Sequence, residues 1–412
     1  MDQLQAYVLD VDGTDIQAEG ALLREGGSAV VVELPGGVRA WAVGHAGTLK
    51  SLLTDSRVSK DPRQHWAAWK EDRIAADWPL RLWVSVQNMF TAYGSDHRRL
   101  RSLVASGFTA KRTMELKPWV ERITATLLDE VASLGRANGV VDLRAAFAYQ
   151  LPVEVICRLF GVDDSQRAGL RKVVDTVFDT TTTPEAAQAN AEDMYRILTG
   201  LAAQKRAQPG DDVTSAIIQA DSDRFGRLTD AEVVDTLILM LTAGHETTVN
   251  LLDQAVTAML THPEQLALVR SGERTWSDVV EETLRWQAPV AYLPLRYAVA
   301  DIDLGDVVIP EGDAILAAYA AAGRDEAEYG ETAGEFDVTR GVKQHLAFGH
   351  GIHHCLGAPL ARLEATTALR MLFERFPDLA FAEPSTRLVP MSSFLSNGHA
   401  ELPVRLGRDA SV

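Results

Sequence analysis

The most constraining feature of this sequence is a glycine-rich stretch, 345–362, that leads through one cysteine into an apolar helical pattern. Cys355 stands where the loop becomes the helix, so its sulfur is predicted to lie among free backbone N–H groups at a positive helix end. Such a position lowers the pKa of a thiol and stabilises the thiolate that binds metals. Gly349 and Gly351 allow a sharp loop, and Gly357 leaves the first helical turn without a side chain. The stretch therefore predicts a thiolate metal site against a flat cofactor such as a porphyrin.

Two other interpretations of Cys355 are open at this point. A lone cysteine at a helix start is commonly a small buried hydrophobe. A zinc site built from His350, His353, His354 and Cys355 would use the ordinary ligands of zinc. The spacing disfavours zinc, because the adjacent His354 and Cys355 cannot easily face one tetrahedral ion and the sequence holds no second Cys/His cluster.

The loop also matches the pattern Phe-x-x-Gly-x-His-x-Cys-x-Gly, with five typed positions in ten residues. These positions are Phe348, Gly351, His353, Cys355 and Gly357. The pattern resembles the haem-binding loop of the cytochrome P-450 family, the haem-thiolate monooxygenases. The resemblance implies haem b as cofactor, Cys355 as its axial metal ligand, and contacts to the cofactor from the loop, Gly349 included. It also implies a mainly α fold with a small β part, in which a long central helix crosses the haem and the sheets are small and antiparallel.

The longest helical pattern covers 229–261 and opens with a capping-box sequence. Its middle turns abruptly small and polar, and glycine and threonine weaken a buried helix, so the change indicates a role other than stability. This middle resembles the oxygen-activation motif of the family. The resemblance implies that Glu246 and Thr247 relay protons to oxygen, and that Ala243 and Gly244 allow close approach to the porphyrin.

A histidine and an arginine four residues apart, His97 and Arg101, project from one helix face. Taken alone, such a pair is usually a solvated face. The stretch 88–101, however, resembles the family segment that holds a haem propionate. By the same resemblance, Arg296 and His353 are propionate partners, each giving charge-assisted hydrogen bonds to a carboxylate.

A second pair, Glu282 and Arg285, lies three residues apart on another predicted helix and is predicted to interact. An isolated Glu-x-x-Arg pattern is common on surface helices. The stretch 336–340 supplies a Phe-Asp-x-x-Arg segment, and the family resemblance implies that its Arg340 joins the pair to hold the core around the haem loop.

Local patterns predict the remaining elements. A valine-rich hairpin is predicted over 29–34 and 38–43, and strands over 292–298 and 314–318. The stretch that follows Asp55, to about Tyr93, is rich in tryptophan and either covers a cavity or packs in the core. Further helices are predicted at 48–55, 112–134, 149–160, 164–178 and 184–207. A hairpin tip is predicted at 394–398. In the family the helix pair 164–178 and 184–207 forms a lid over the substrate.

No Pro/Gly/Ser-rich linker, low-complexity tract or repeat divides the 412 residues. We therefore expect one domain over 1–412, with a β-rich part at about 20–60 and a helical haem-binding core at about 95–290 and 340–412.

The composition limits the partners. A net charge of −17 argues against nucleic acid or an anionic membrane as a partner. No signal peptide and no run of about twenty apolar residues is evident, so we expect a cytoplasmic protein without a membrane span. Two cysteines do not indicate a disulfide framework.

The sequence has no dinucleotide-binding Gly-x-Gly-x-x-Gly segment. The resemblance therefore implies that electrons come from NAD(P)H through a separate ferredoxin and its reductase. The sequence around Glu246 and Cys355 is similar to that of bacterial, actinomycete-type members of the family. Those members commonly modify secondary metabolites such as macrolides, steroid-like molecules or cyclic peptides. We expect hydroxylation of an apolar small molecule in a pocket formed by Met89, Phe90, Met240, Ala291, Leu293, Phe394 and Leu395.

Two further functions stay open. The same oxidant can join two fragments by a C–C or C–N bond without inserting oxygen. A haem-binding protein without turnover is the other, although the presence of both Glu246 and Thr247 speaks against it.

Overall fold

The computed structural model describes residues 5–105, 107–108, 110–163, 166–167, 169–170, 183–383 and 387–411. The helices are α1 (Ile16–Glu25), α2 (Ala46–Leu52), α3 (Pro62–His65), α4 (Ala67–Lys70), α5 (Arg81–Ser85), α6 (Gly94–Ala105), α7 (Ala110–Asn138), α8 (Gln150–Phe160), α9 (Pro184–Ala207), α10 (Val213–Gln219), α11 (Asp230–Thr261), α12 (Pro263–Arg270), α13 (Trp276–Trp286), α14 (Tyr319–Gly323), α15 (Glu326–Tyr329) and α16 (Ala358–Arg375). Short 3-10 turns lie at Pro35–Gly37 and Gly351–His353, and a π-helical turn lies at Arg144–Ala148.

The strands are β1 (Tyr7–Val8), β2 (Val30–Leu34), β3 (Val38–Val43), β4 (Val58–Ser59), β5 (Val141–Asp142), β6 (Tyr292–Ala298), β7 (Ile302–Asp303), β8 (Val308–Ile309), β9 (Ala314–Ala318), β10 (Ala380–Phe381) and β11 (Pro403–Arg405). Six of them form a sheet in the order β1-β2-β3-β9-β6-β4. The others form a three-stranded sheet, β10-β11-β5, and the pair β7-β8. The mainly α fold with small sheets is thus confirmed, although β1-β2 and β3-β9 pair in parallel within the six-stranded sheet.

The predicted hairpin is confirmed, with Val30 opposite Ala42 and Leu34 opposite Val38. Gly36 and Gly37 make its turn with φ of 77° and 73°, a left-handed conformation that glycine adopts at little cost. β3 continues into the sheet beside β9, so the valine-rich pattern ends up buried on both sides.

The long central helix is also confirmed as α11, which has 32 residues. Its start is the predicted capping box, in which Thr229 and Glu232 exchange side-chain and backbone hydrogen bonds. Most of its side chains are buried, and it packs against α8, α9, α13 and α16. A helix in this central position can present its middle residues to an internal cavity.

The other predicted elements agree closely. Strands 292–298 and 314–318 and helix 184–207 have the predicted bounds, whereas helix 112–134 extends to 110–138 and helix 48–55 shifts to 46–52. The predicted tip 394–398 lies between the paired residues Pro390 and His399 and is confirmed as the end of a loop. The predicted helix 164–178 falls mostly outside the described residues, and so does the lid inferred from it.

Apolar side chains of α7, α8, α11, α13 and α16 form the largest core cluster. A second cluster underlies the six-stranded sheet and contains Trp66 and Trp78, with the Trp66 ring stacked on Tyr297 at 5.2 Å. Among the helices that the structure describes, none combines the length and hydropathy needed to cross a bilayer. The single-domain assignment stays a prediction.

Candidate functional site

The loop that carries Cys355 closes on itself. The Cys355 N–H donates to the carbonyl of Phe348 at 2.8 Å, and the Gly349 N–H donates to Leu346 at 2.7 Å. Gly349 and Gly351 both have φ of 69°. A Cβ at Gly351 would lie 2.6 Å from the Leu53 carbonyl oxygen, so the loop requires glycine there.

The sulfur of Cys355 faces the large internal cavity and accepts hydrogen bonds from the N–H groups of Gly357 and Ala358, where α16 begins. Burial raises the pKa of this thiol by more than those hydrogen bonds and the nearby Arg101 and Arg362 lower it. The prediction of a lowered pKa is therefore wrong for the free thiol, because desolvation outweighs the helix end. A bound metal deprotonates a coordinating thiol outright, and the two N–H donors would then stabilise its charge.

Four basic side chains from three elements meet at one end of the cavity. Arg101, Arg296 and His353 line it, and the His97 ring lies 4.2 Å from the ring of His353. α6 presents His97 and Arg101 together, as their spacing predicted. The structure thus brings together all four residues that the sequence assigned to haem propionates.

Several polar atoms at this end have no hydrogen-bond partner among the described residues. They are both ring nitrogens of His97, Nη1 of Arg296 and Nζ of Lys60. Buried donors are rarely left unpaired, so an anion with several acceptor oxygens is indicated. Burial, with Arg101 and Arg98, lowers the pKa of His97 to about 4, which keeps its ring neutral at neutral pH. The two carboxylates of a haem fit these donors.

The proton-relay candidates lie on two sides of α11. Thr247 lines the cavity, and its hydroxyl donates to the carbonyl of Ala243, also at the lining, at 2.6 Å. Glu246 is buried, is not among the residues that line the cavity, and accepts a hydrogen bond from Arg144 at 2.9 Å. Gly244 also lines the cavity, but a Cβ there would approach Ile156 of α8 at 3.2 Å, so helix packing constrains this position as well.

Arg144 was not singled out from the sequence. It lies in the π-helical turn, where it also pairs with Asp253 at 3.1 Å, and Asp253 in turn accepts from His399. The only signal in the sequence is one arginine within an apolar stretch.

The predicted structural group of Glu282, Arg285 and Arg340 is assembled as expected. Arg285 donates to both carboxylate oxygens of Glu282, at 2.9 and 2.6 Å, and Arg340 donates at 3.3 Å. Arg285 further donates to the carbonyls of Gly323 and Ala333. Glu282 and Arg285 are completely buried.

Glu281, the neighbour of Glu282, has a role that sequence reasoning missed. It accepts from Arg362 at 2.6 Å and lies 3.2 Å from the Nε2 of His345, so it joins both ends of the cysteine loop. Burial alone would raise the pKa of Glu281, but hydrogen bonds from Arg362 and His345 hold it at about 2. The sequence signal that could have indicated this role is that Glu281 directly precedes Glu282, on the helix already predicted to hold the core around the cysteine loop.

The cavity encloses about 1920 Å³, including its opening to solvent. Of the predicted pocket residues, those at the lining are Met89, Phe90, Met240 and Leu293. Other apolar residues at the lining are Leu82, Trp83, Phe108, Ile156, Leu159 and Ile238.

Three predicted pocket residues lie elsewhere. Ala291, Phe394 and Leu395 are at most 1% exposed and belong to the core under the six-stranded sheet, outside the described cavity lining. Phe394 packs near the Tyr292 ring at 6.2 Å. The loop tip exists, but its apolar side chains fill the core.

The histidines beside Cys355 face different surroundings. The His353 ring contacts His97, whereas the His354 ring lies 6.4 Å from Phe348. Within the described residues, no group of three or more His, Cys, Asp or Glu side chains could hold a metal ion.

Comparison with known proteins gives consistent matches. A family model described as cytochrome P-450 matches residues 276–391. The chain is 42% identical to 2-hydroxy-5-methyl-1-naphthoate 7-hydroxylase of Streptomyces carzinostaticus, over 98% of this chain and 99% of that protein. It is 38% identical to 6-deoxyerythronolide B hydroxylase of Saccharopolyspora erythraea, over 90% and 91% of the two chains. The solved structure of CYP154A1 from Streptomyces coelicolor superposes with a TM-score of 0.92 at 54% identity, covering 97% of this chain and 100% of that one.

Proposed function

We propose that this chain hydroxylates an apolar secondary metabolite bound in the cavity beside Cys355. The premise is that the chain belongs to the cytochrome P-450 family and is a monooxygenase of that family. The carrying observation is that Cys355 and the middle of α11 line the same apolar cavity, with paired basic residues at one end. Electrons come from NAD(P)H through a ferredoxin and its reductase.

The chain's residues fit haem b. Cys355 would bind the iron, and His97, Arg101, Arg296 and His353 would hold the propionates. When bound, a thiolate-ligated haem activates O2 for attack on C–H bonds. The protein contributes an apolar site, which excludes water. Glu246, buried on α11, and Thr247, at the cavity lining, would pass protons toward the cavity.

The substrate class follows from the lining and from the relatives. Met89, Phe90, Met240 and Leu293 offer apolar and aromatic surface. Two similar proteins carry names that describe hydroxylation of a naphthoate and of 6-deoxyerythronolide B. Both names support ring-containing metabolites, and macrolides, steroid-like molecules and cyclic peptides are the classes to screen first.

The assignment of Cys355 is tested by replacing it. Cys355→Ala should lose the long-wavelength absorption of the ferrous CO complex and all monooxygenase turnover, because the thiolate ligand is removed. Cys157→Ala is the matched control, since Cys157 is the other cysteine and is buried in α8. Survival of the absorption band in Cys355→Ala would show that another group binds the iron.

The reaction outcome is tested by product mass with a reconstituted ferredoxin and reductase. Hydroxylation adds one oxygen, whereas C–C or C–N coupling removes two hydrogens. Absence of substrate-dependent NADPH oxidation across the screened classes would instead favour a haem-binding protein without turnover.

A further inference from the structure

Lys60 is a buried lysine to which neither the sequence patterns nor the proposed function assigns a role. It follows β4 directly and is 3% exposed. Its Nζ has no hydrogen-bond partner among the described residues, and it lies over the Phe90 ring, whose centroid is 3.6 Å away. A buried ammonium normally has an anionic or strongly accepting partner, so this position needs an explanation.

Sheet register explains where the Lys60 side chain lies. β4 pairs with β6 through Val58 opposite Ala298 and Ser59 opposite Tyr297. Lys60 follows Ser59 and Arg296 precedes Tyr297 on the antiparallel strand, so the two residues come next after the last pair, and the charge of Arg296 acts on Lys60. Like charges directly opposite each other destabilise a sheet. Both side chains nevertheless line the cavity, and each has an unpaired nitrogen there.

The carboxylate next in sequence does not neutralise Lys60. Asp61 caps α3, accepting from the N–H groups of Arg63 and Gln64 at 2.9 and 3.3 Å. Its other oxygen accepts from the Gln64 side chain at 2.8 Å. Burial and the charge of Arg296 lower the pKa of Lys60 well below its usual range, with no carboxylate among the causes.

We propose that Lys60 is a further haem-binding residue, whose ammonium donates to a haem propionate beside Arg296. An anion between Lys60 and Arg296 converts a repulsive cross-strand pair into two charge-assisted hydrogen bonds. Phe90, under the ammonium, lines the same cavity and is one of the predicted substrate-pocket residues, so Lys60 would join the haem carboxylate to that segment. The inference rests on the proposed haem site and adds a residue to it.

The test compares Lys60→Met with Lys60→Arg, which keeps the charge. Transfer of haem from the holoenzyme to excess apomyoglobin should be about 10- to 100-fold faster in Lys60→Met, as expected for loss of one charge-assisted hydrogen bond. The midpoint potential should become more negative, because a cation near the haem favours the reduced form. Lys60→Arg should stay close to the wild type in both measurements.

Two matched variants separate the possible outcomes. Arg296→Met removes an assigned propionate partner and should accelerate haem transfer, whereas Lys50→Met removes an exposed lysine of α2 and should not. Unchanged haem transfer and potential in Lys60→Met, beside a faster Arg296→Met, would overturn the role of Lys60 alone. A wild type without the ferrous CO band would overturn the haem site itself.

The rival partner of Lys60 is an acidic substrate. Spectral titration with 1-naphthoate and its methyl ester distinguishes the two, since only the acid carries a charge. Loss of 1-naphthoate binding in Lys60→Met with normal haem retention would overturn the proposal in favour of substrate recognition. If Lys60→Met and Lys60→Arg both fail to retain haem while Arg296→Met retains it, Lys60 acts through packing and the proposal fails.

Discussion

Thr247 illustrates how one hydroxyl can satisfy helix geometry and still serve chemistry. Its hydrogen goes to the Ala243 carbonyl, the backbone bond that a threonine in a helix commonly makes. The oxygen keeps lone pairs, and the residue lines the cavity, so it can accept a hydrogen bond from a proton donor there. A helix-packing role and a proton-delivery role therefore predict different consequences of its removal.

We expect Thr247→Ala to fold, bind haem and bind substrate normally, while product per NADPH falls and peroxide accumulates. Acid–base contributions are typically ~100-fold or more, so product formation should drop by ~100-fold or more. Product, NADPH and peroxide measured together check this.

Thr248→Ala is the control for Thr247, because Thr248 also lines the cavity and donates to the carbonyl one turn earlier, at Gly244. Added hydrogen peroxide should restore some product in Thr247→Ala. Unchanged coupling would remove Thr247 from proton delivery.

At the scale of elements, α13 fastens the cysteine loop to the helical core through two adjacent carboxylates. Glu282 binds Arg285 and Arg340, and Glu281 binds residues at both ends of the loop. Because Glu282 and Arg285 are completely buried, removal of one partner leaves an uncompensated charge in the interior.

Glu282→Ala should therefore lose about 3–5 kcal/mol of stability and retain haem poorly, without a specific change in chemistry. Glu335→Ala is the matched control: Arg285 uses only the backbone carbonyl of Glu335, whose side chain is exposed. The checks are denaturant unfolding and the haem-to-protein ratio. A stable, haem-replete Glu282→Ala protein with altered products would contradict a structural role.

At the scale of the whole molecule, the charged groups that hold the loop make stability depend on acid. The folded-state pKa of Glu281, about 2, lies below its ordinary value of 4.5. A depressed carboxyl pKa contributes stability above the unfolded value, and this contribution is lost as pH falls toward the folded value. Resistance to unfolding should thus decline between about pH 4.5 and 2.

Glu281→Gln should be less stable than the wild type near neutral pH and should show a smaller decline in that acid window. Urea unfolding followed by haem absorbance and circular dichroism across the window measures the difference. Glu130→Gln, an exposed carboxyl of α7, should keep the wild-type profile. An identical acid profile in Glu281→Gln would exclude this carboxylate as a source of the dependence.

The sequence by itself determined the features that depend on neighbouring residues. Hydrophobic period and caps placed α11 and the hairpin, and the cysteine loop was recognisable because its glycines and Cys355 act within a few residues. Spacing within one helix likewise paired His97 with Arg101 and Glu282 with Arg285.

Only the tertiary structure decided which distant groups meet and which side chains face the cavity. Phe394 and Leu395 are apolar, and an apolar side chain suits a core as well as a pocket; packing placed them in the core. Residues far apart in the chain bury the Cys355 sulfur. Distant segments also bring Arg144 to Glu246 and Lys60 to Arg296. Burial and long-range charge depend on the assembled fold, so no local pattern in the sequence encodes them.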